Sequence, residues 1–427
     1  MCIYSNYKAI HLRRHLFPPC LEVNVLQILT TSTIQAYSLV VFSYLTTTTI
    51  AQHLPPSIAQ TEFNLKFLFS APLIDERITE TGGRATGFDY LRIGLAALVI
   101  CFHSMITSYG SSFQEDVTHH GAGRAWYLIL PMFFALSGFL VAGSLERSKS
   151  IGVFLGLRVF RIFPALAMDT LVCALLLGPM LTTLPLGEYF SNSTFHQYFQ
   201  NILGIIHFEL PGVFETNPSH KVNGQLWTIP VELECYITLT VLGILGLHRR
   251  RFMMLAAFLA LFAYSEWQIL SRGDEAYTGR ILLLSFCAGV AFYQFRDYIR
   301  LNLLVAILAL AISLLCLTSP QGGYLLAVPV TYLTVYLGLR NPPKSHLLET
   351  GDYSYGLFLY GYPIQQTMVF LFPFAHTWWG NLVLSIPMAL LFAVASWHLV
   401  EKRVLKHKTI LFTADKWYQN KVQQLKG

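Results

Sequence analysis

Charged side chains are scarce. Asp, Glu, Lys and Arg make up 12% of the 427 residues, about half of the roughly 25% found in soluble domains. The low charge argues against intrinsic disorder, which needs many charges and few apolar groups. Hydrophobic residues make up 54% of the chain and mean hydropathy is +0.50. A soluble fold of this size cannot hide that much apolar surface behind so few charges. Paired cysteines are missing too. The seven, at positions 2, 20, 101, 173, 235, 287 and 316, form no CxxC. That excludes a disulfide scaffold, and thiols inside apolar runs read as small buried hydrophobes. With 29 glycines in the whole chain, a collagen-like repeat is excluded as well. What remains is an all-α fold, a polytopic transmembrane helical bundle.

A helix needs about 20 mainly apolar residues to cross a bilayer. Ten stretches qualify, at 90–109, 126–145, 162–182, 226–247, 252–271, 279–297, 300–318, 322–340, 354–374 and 379–401. Net charge is a modest +6, and the placement of the basic residues says more than their sum. Segments 77–92, 143–161, 248–251, 296–300, 340–346 and the tail after 401 hold 21 Lys and Arg. The connections on the other side hold Arg124, Lys221 and Arg272 only. By the positive-inside rule, both ends of the ten-helix core are expected in the cytoplasm, with 406–427 a basic cytoplasmic tail. The loop 183–225 is the longest external connection, and its Phe195–Leu210 stretch reads as interfacial or re-entrant.

Residues 1–80 fit this scheme poorly. The apolar run Ile34–Ala51 is rich in threonine, and spanning there would put Lys8, Arg13 and Arg14 outside. It also lies too far from the start for a signal peptide. Two readings are a loose amphipathic extension and an upstream, non-native start of translation.

Ionisable groups at bilayer depth are costly, so each is a functional candidate. Arg92 and His103 are eleven residues apart on the first span. That places them about 20° from alignment and about 16 Å apart along the helix. Such a pair can line one path through the membrane; a snorkelling arginine plus a structural histidine is the alternative. Arg158 and Arg161 share a helix face at the cytoplasmic mouth of the third span. Planar guanidinium forks suit phosphates, although orientation alone also explains an RxxR. Glu232 lies about six residues into a helix entering from outside, at a depth like that of His103. A carboxylate beside an imidazole fixes its tautomer and raises its basicity, the arrangement of general-base catalysis. Ser137-Gly138 reads as a packing pair, with no GxSxG elbow. His119 and His120 read as solvated loop residues, and no metal motif is present. Trp126, Tyr127, Tyr362, Trp378 and Trp379 read as interface anchors.

Seven short motifs in order carry a resemblance. They are Asp89 with Leu91, Arg92 and His103; Phe133 to Leu140; Arg158, Arg161, Ile162 and Pro164; Leu226 to Glu232; Ser354 to Pro363, which includes Tyr355; and Val400 to Lys406. The seventh is the spacing of Arg92 and His103 itself, a basic residue followed by His eleven positions on. Over residues 84–405 the chain resembles the integral-membrane acyltransferase family 3, which O-acylates sugars and related acceptors. Many relatives carry a histidine in the late motif where this chain has Gly361, and Gln365 and Gln366 follow it as polar or packing amides. No appended extracytoplasmic esterase-like domain is expected in the 26 residues after Glu401.

The resemblance implies an acyltransferase of the inner membrane that moves an acyl group, commonly acetyl, from cytoplasmic acyl-CoA to a hydroxyl. The acceptor would be an extracytoplasmic glycan or lipid-linked sugar. His103 would be the base and Glu232 its orienting carboxylate. Arg92, Arg158 and Arg161 would hold the donor, and Asp89, Trp227 and Tyr355 would support the site. Acyl-CoA would be a co-substrate rather than a resident cofactor. Expected partners are membrane lipids, and no metal or nucleic acid is implied. A transporter or flippase of a lipid-linked glycan is the rival reading, although no inverted repeat is visible in the sequence.

Overall fold

The computed structural model describes residues 70–148, 150–246, 250–272, 279–318 and 322–426. The apolar run Ile34–Ala51 and the basic residues before it lie outside the described residues. Residues 70–80, read above as part of the extension, belong to the fold. Ile74 N donates to Ile299 O (3.0 Å), Leu301 N donates to Pro72 O (2.8 Å), and Arg296 pairs with Asp75 at 2.9 Å.

The described residues form helices and no named strand. The principal helices are α1 (Gly87–Tyr109), α2 (Ile129–Ser148), α3 (Ile151–Val172), α4 (Thr228–Ile244), α5 (Arg251–Arg272), α6 (Gly279–Gln294), α7 (Leu303–Cys316), α8 (Ala327–Gly338), α9 (Ser354–Leu371), α10 (Trp378–Ser396) and α11 (Thr409–Lys426). Each of the ten stretches predicted above contains a helix among the described residues. Six helical stretches are long and apolar enough to cross a membrane: Gly87–Tyr109, Gly121–Ser148, Ile151–Leu181, Gly224–Ile244, Arg251–Ser271 and Trp378–Lys421. Gly279–Gln294, Leu303–Cys316 and Gly322–Gly338 are apolar but shorter.

α3 starts eleven residues before the predicted span. Ser150 caps it, its hydroxyl accepting from Val153 N at 3.5 Å. Arg158 and Arg161 therefore stand inside the helix, two to three turns from its start, rather than at its mouth. The helix continues beyond Val172 through a π-turn at Cys173–Leu177. The segment beyond it folds back as a small core of Tyr189, Phe195, Tyr198, Val213, Phe214 and Val222.

Close helix contact explains the small residues. α6 packs along α2, and α9 packs between α1 and α10. A Cβ on Gly138 would overlap the carbonyl oxygen of Phe286, and one on Gly289 would overlap that of Ala135. Two helices meet here backbone to backbone, as small residues permit inside membranes. The packing reading of Ser137-Gly138 agrees with this contact. Gly289→Val should therefore reduce the yield of monodisperse protein in detergent severely. Gly94→Ala, with nothing within 4 Å of its added Cβ, should leave that yield unchanged in size-exclusion chromatography.

Candidate active site

Two cavities lie side by side in the bundle. The first, about 390 Å³, is lined by His103 of α1 with Phe102, Trp126, Trp227, Thr228 and Tyr362. The second, about 170 Å³, is lined by Arg92, Arg158 and Arg161 with Ser137, Glu232, Tyr236 and Tyr355. Leu130, Thr228 and Phe358 line both, so they form the partition between the two.

His103 faces the first cavity, partly buried, and its ring makes no hydrogen bond among the described residues. Its close neighbour is Tyr362, edge-on with ring centroids 5.1 Å apart. The Tyr362 hydroxyl meets that of Ser219 at 3.0 Å. Tyr362 is 2% exposed, so it is a wall of the site and not the interface anchor expected from sequence. It fits because residue 224 is glycine: a Cβ there would come within 2.6 Å of the Tyr362 ring. Trp126 also turns inward, 5.8 Å from the ring of Phe102.

The cavity wall at Gly224–Trp227 is held from behind. Asp169 of α3 is fully buried and accepts a hydrogen bond from Asn223 Nδ2 at 2.6 Å. Cys173 Sγ donates to Asn223 Oδ1 at 3.4 Å. A buried carboxylate needs such partners, and this one fixes the residue that opens the turn. Sequence reasoning missed Asp169.

The arginine chamber depends on a second missed carboxylate. Asp352, in the link before α9, accepts from Arg92 Nη1 at 2.7 Å and from Arg161 Nη2 at 2.8 Å through the same oxygen. Arg161 also pairs with Glu401 at 3.3 Å and lies against the rings of Tyr355 and Trp397. Arg158 is different. It donates to Ser144 Oγ at 3.2 Å, its Nε is buried without a hydrogen-bond partner, and no carboxylate pairs with it among the described residues. Of the three arginines, it is the one not paired with a carboxylate among the described residues.

Glu232 is not brought to His103, which corrects the pairing expected from sequence. It accepts from the Tyr236 hydroxyl at 2.5 Å and lines the arginine chamber. The reason is helical geometry. Thr228 opens α4 in the partition, and Glu232, four residues on along the same face, lies past the partition. Among the remaining expectations, Trp227 lines the histidine cavity and Tyr355 the arginine chamber. Asp89 stands apart from both cavities, paired with Lys344 at 3.2 Å. Gln365 and Gln366 are buried packing amides, bonded to Ile100 O and to Ser219 O and Lys221 O. Gly361 lies where a Cβ would come within 2.7 Å of Ile100, so α1 and α9 meet closely at that point.

Comparison with known proteins identifies the family. A family model for an acyltransferase domain matches residues 86–399. The chain belongs to acyltransferase family 3. The acyltransferase is 27% identical over 349 residues to an O-acetyl transferase of Shigella phage Sf6, covering 77% of this chain and 98% of the relative. It is 26% identical over 369 residues to nodulation protein 10 of Rhizobium leguminosarum bv. viciae, covering 78% of this chain and 96% of the relative. No solved structure matches it. It is thus a transferase of acyl groups, and its apolar helices make it a multi-pass membrane protein.

The Asp352 bridge gives a test of the chamber. Burial disfavours the charge of Asp352, but the guanidiniums of Arg161 and Arg92 and hydrogen bonds from Ser354 outweigh burial. They hold its carboxyl well below the usual carboxylate range. A folded pKa below the unfolded value of about 3.9 means stability that is complete above that pH and lost as pH falls through the folded value. Wild-type melting in detergent should show no step from this group between about pH 5 and pH 8. Asp352→Asn should lower the melting temperature across that range. Because Asp352 keeps some solvent contact, the cost should fall below the about 3–5 kcal/mol of a broken, fully buried pair.

Proposed function

We propose that the acyltransferase moves an acyl group, acetyl in the simplest case, from cytoplasmic acyl-CoA to a hydroxyl of an extracytoplasmic glycan or lipid-linked sugar. The observation that carries this reading is the pair of adjoining cavities, one walled by arginines and the other by a histidine, with only Leu130, Thr228 and Phe358 between them. An acyl-CoA thioester has an anionic end and an acyl end. Arg158 offers free donors for its phosphates, with charge-assisted bonds of the kind that hold anions strongly. Arg92 and Arg161 shape the chamber and, already paired with Asp352, add less net charge. The acyl end would pass the partition toward His103.

At His103 the chemistry is proton transfer. A ring nitrogen takes the acceptor's hydroxyl proton as that oxygen attacks the thioester carbonyl. The C–O bond forms, the C–S bond breaks, and the thiolate leaves with a proton returned from the imidazolium. Tyr362 and Trp227 give flat walls against which a sugar ring can lie. General-base action of this kind supplies roughly 10²–10⁴-fold in rate. The name of the phage relative supports transfer to oxygen.

His103→Ala should reduce transfer from labelled acetyl-CoA by about 100-fold or more while the protein stays folded in membranes. Activity above a few per cent of wild type removes His103 from this role. Arg158→Ala should raise the KM for donor by about tenfold, as expected for a lost hydrogen bond to a charged group. Unchanged donor affinity in direct binding contradicts the phosphate role. Movement of a lipid-linked glycan without label incorporation would favour a transporter instead.

A further inference from the structure

The charge of this chain is concentrated in one place. Residues 402–427 contain seven Lys and Arg against one acidic residue, Asp415, and so carry a net +6. The whole chain carries the same +6, so residues 1–401 sum to zero. Within the fold the arginines described above have carboxylates or aromatic rings as partners. The tail is where the net positive charge collects.

That tail has an ordered, two-faced shape. A turn at His407 and Lys408 separates it from the helix before it, and α11 follows. One face of α11 rests on α3. Leu411 packs at Gly156, where an added Cβ would lie 2.6 Å from its side chain, and Asp415 accepts from the Ser150 hydroxyl at 2.6 Å. These two contacts are four residues apart, hence on one side of the helix. Ile410 and Trp417, seven apart, share a different side and are 58% and 63% exposed. Lys421, one turn past Trp417, lies over the Trp417 ring at 4.9 Å. Lys402, Arg403, Lys406 and Lys408, just before, are exposed as well.

We propose that the outer face of α11 binds anionic phospholipid headgroups of the membrane in which the enzyme resides. Two independent signals point to that partner. Exposed Ile410 and Trp417 suit the boundary between headgroups and acyl chains, as the apolar side of an interfacial helix does. A net +6 packed into 26 residues suits a negatively charged surface, toward which each lysine or arginine is attracted separately. The cation over the indole places charge and apolar ring together, the pairing a headgroup layer accommodates. α11 would then hold the start of α3, the helix that carries Arg158 and Arg161, against the lipid surface.

The test uses the full chain in nanodiscs of phosphatidylcholine alone or mixed with phosphatidylglycerol, with backbone hydrogen exchange read over residues 409–426. Exchange should be slowed about tenfold or more by the anionic lipid, and high salt should remove the difference. A variant with Lys408→Gln, Lys416→Gln and Lys421→Gln should lose the anionic-lipid effect while keeping the wild-type melting temperature and its transfer of label in phosphatidylcholine. Trp417→Ala should weaken protection without abolishing its lipid dependence. Equal exchange in both lipids overturns the proposal, as does anionic-lipid protection that survives neutralisation of the three lysines. Protection that is the same in both lipids and needs an added acidic protein assigns the tail to a protein partner and overturns it as well.

Discussion

One carboxylate oxygen joins two helices that are far apart in sequence. Asp352 Oδ2 accepts from Arg92 on α1 and from Arg161 on α3, at 2.7 and 2.8 Å. Without it, two guanidiniums would face each other in an apolar bundle, where effective dielectric is low and like charges repel strongly. The bridge sets the separation of α1 and α3, and α1 also carries His103. Arg161 continues the network to Glu401 in the π-turn that follows α10, so α1, α3, that turn and the link before α9 are tied at a single point. The arginine chamber, lined by Arg92 and Arg161, is held by that tie.

The partition is made of groups that can give way. Leu130 and Phe358 are apolar side chains with rotamers to change, and Thr228 carries a small hydroxyl bonded to Gln225 O at 3.3 Å. No charged residue lies in it. A barrier of this kind separates the arginine chamber from the histidine cavity without a fixed ionic lock. The walls on the histidine side are stiffer. Asp169 holds Asn223, Asn223 opens the Gly224–Trp227 turn, and Gly224 lets Tyr362 reach His103. Rigid walls around the reacting groups and a soft divider between them suit a reaction in which a long, thin donor must reach a bound acceptor.

The helical architecture was legible because apolar length is a strong signal, and Arg92, His103, Arg158 and Arg161 stood out because ionisable residues inside apolar runs are rare. Their partners were harder to read. Asp352 lies in a short polar link, where a carboxylate attracts no notice until folding brings it to two arginines 260 and 191 residues away. Asp169 lies inside an apolar run and was legible in principle by the same rule that exposed His103. Tyr362 was misassigned because the interface rule was applied to a ring that stands midway along α9, where it packs inside the bundle. Glu232 was matched with His103 on depth, and depth along a helix says nothing about which side of a partition a side chain meets. The start of α3 was misjudged because its first two turns mix glycine and arginine with apolar residues, and only the Ser150 cap marks them as helix.

The histidine without an orienting carboxylate sets a physical condition on the chemistry. In a hydrolase triad the acid fixes the tautomer before substrate arrives. Here the side chain against the imidazole is an aromatic edge, which restricts the ring's position but accepts no proton from it. On the proposed role of His103, either nitrogen could face the acceptor, and the acceptor's hydroxyl would be the hydrogen-bond partner that selects between them. The burden of orientation shifts to the walls, to Tyr362 fixed by Ser219 and to the turn fixed by Asn223. On the proposed role of His103, the geometry of its cavity depends on packing as much as on charge.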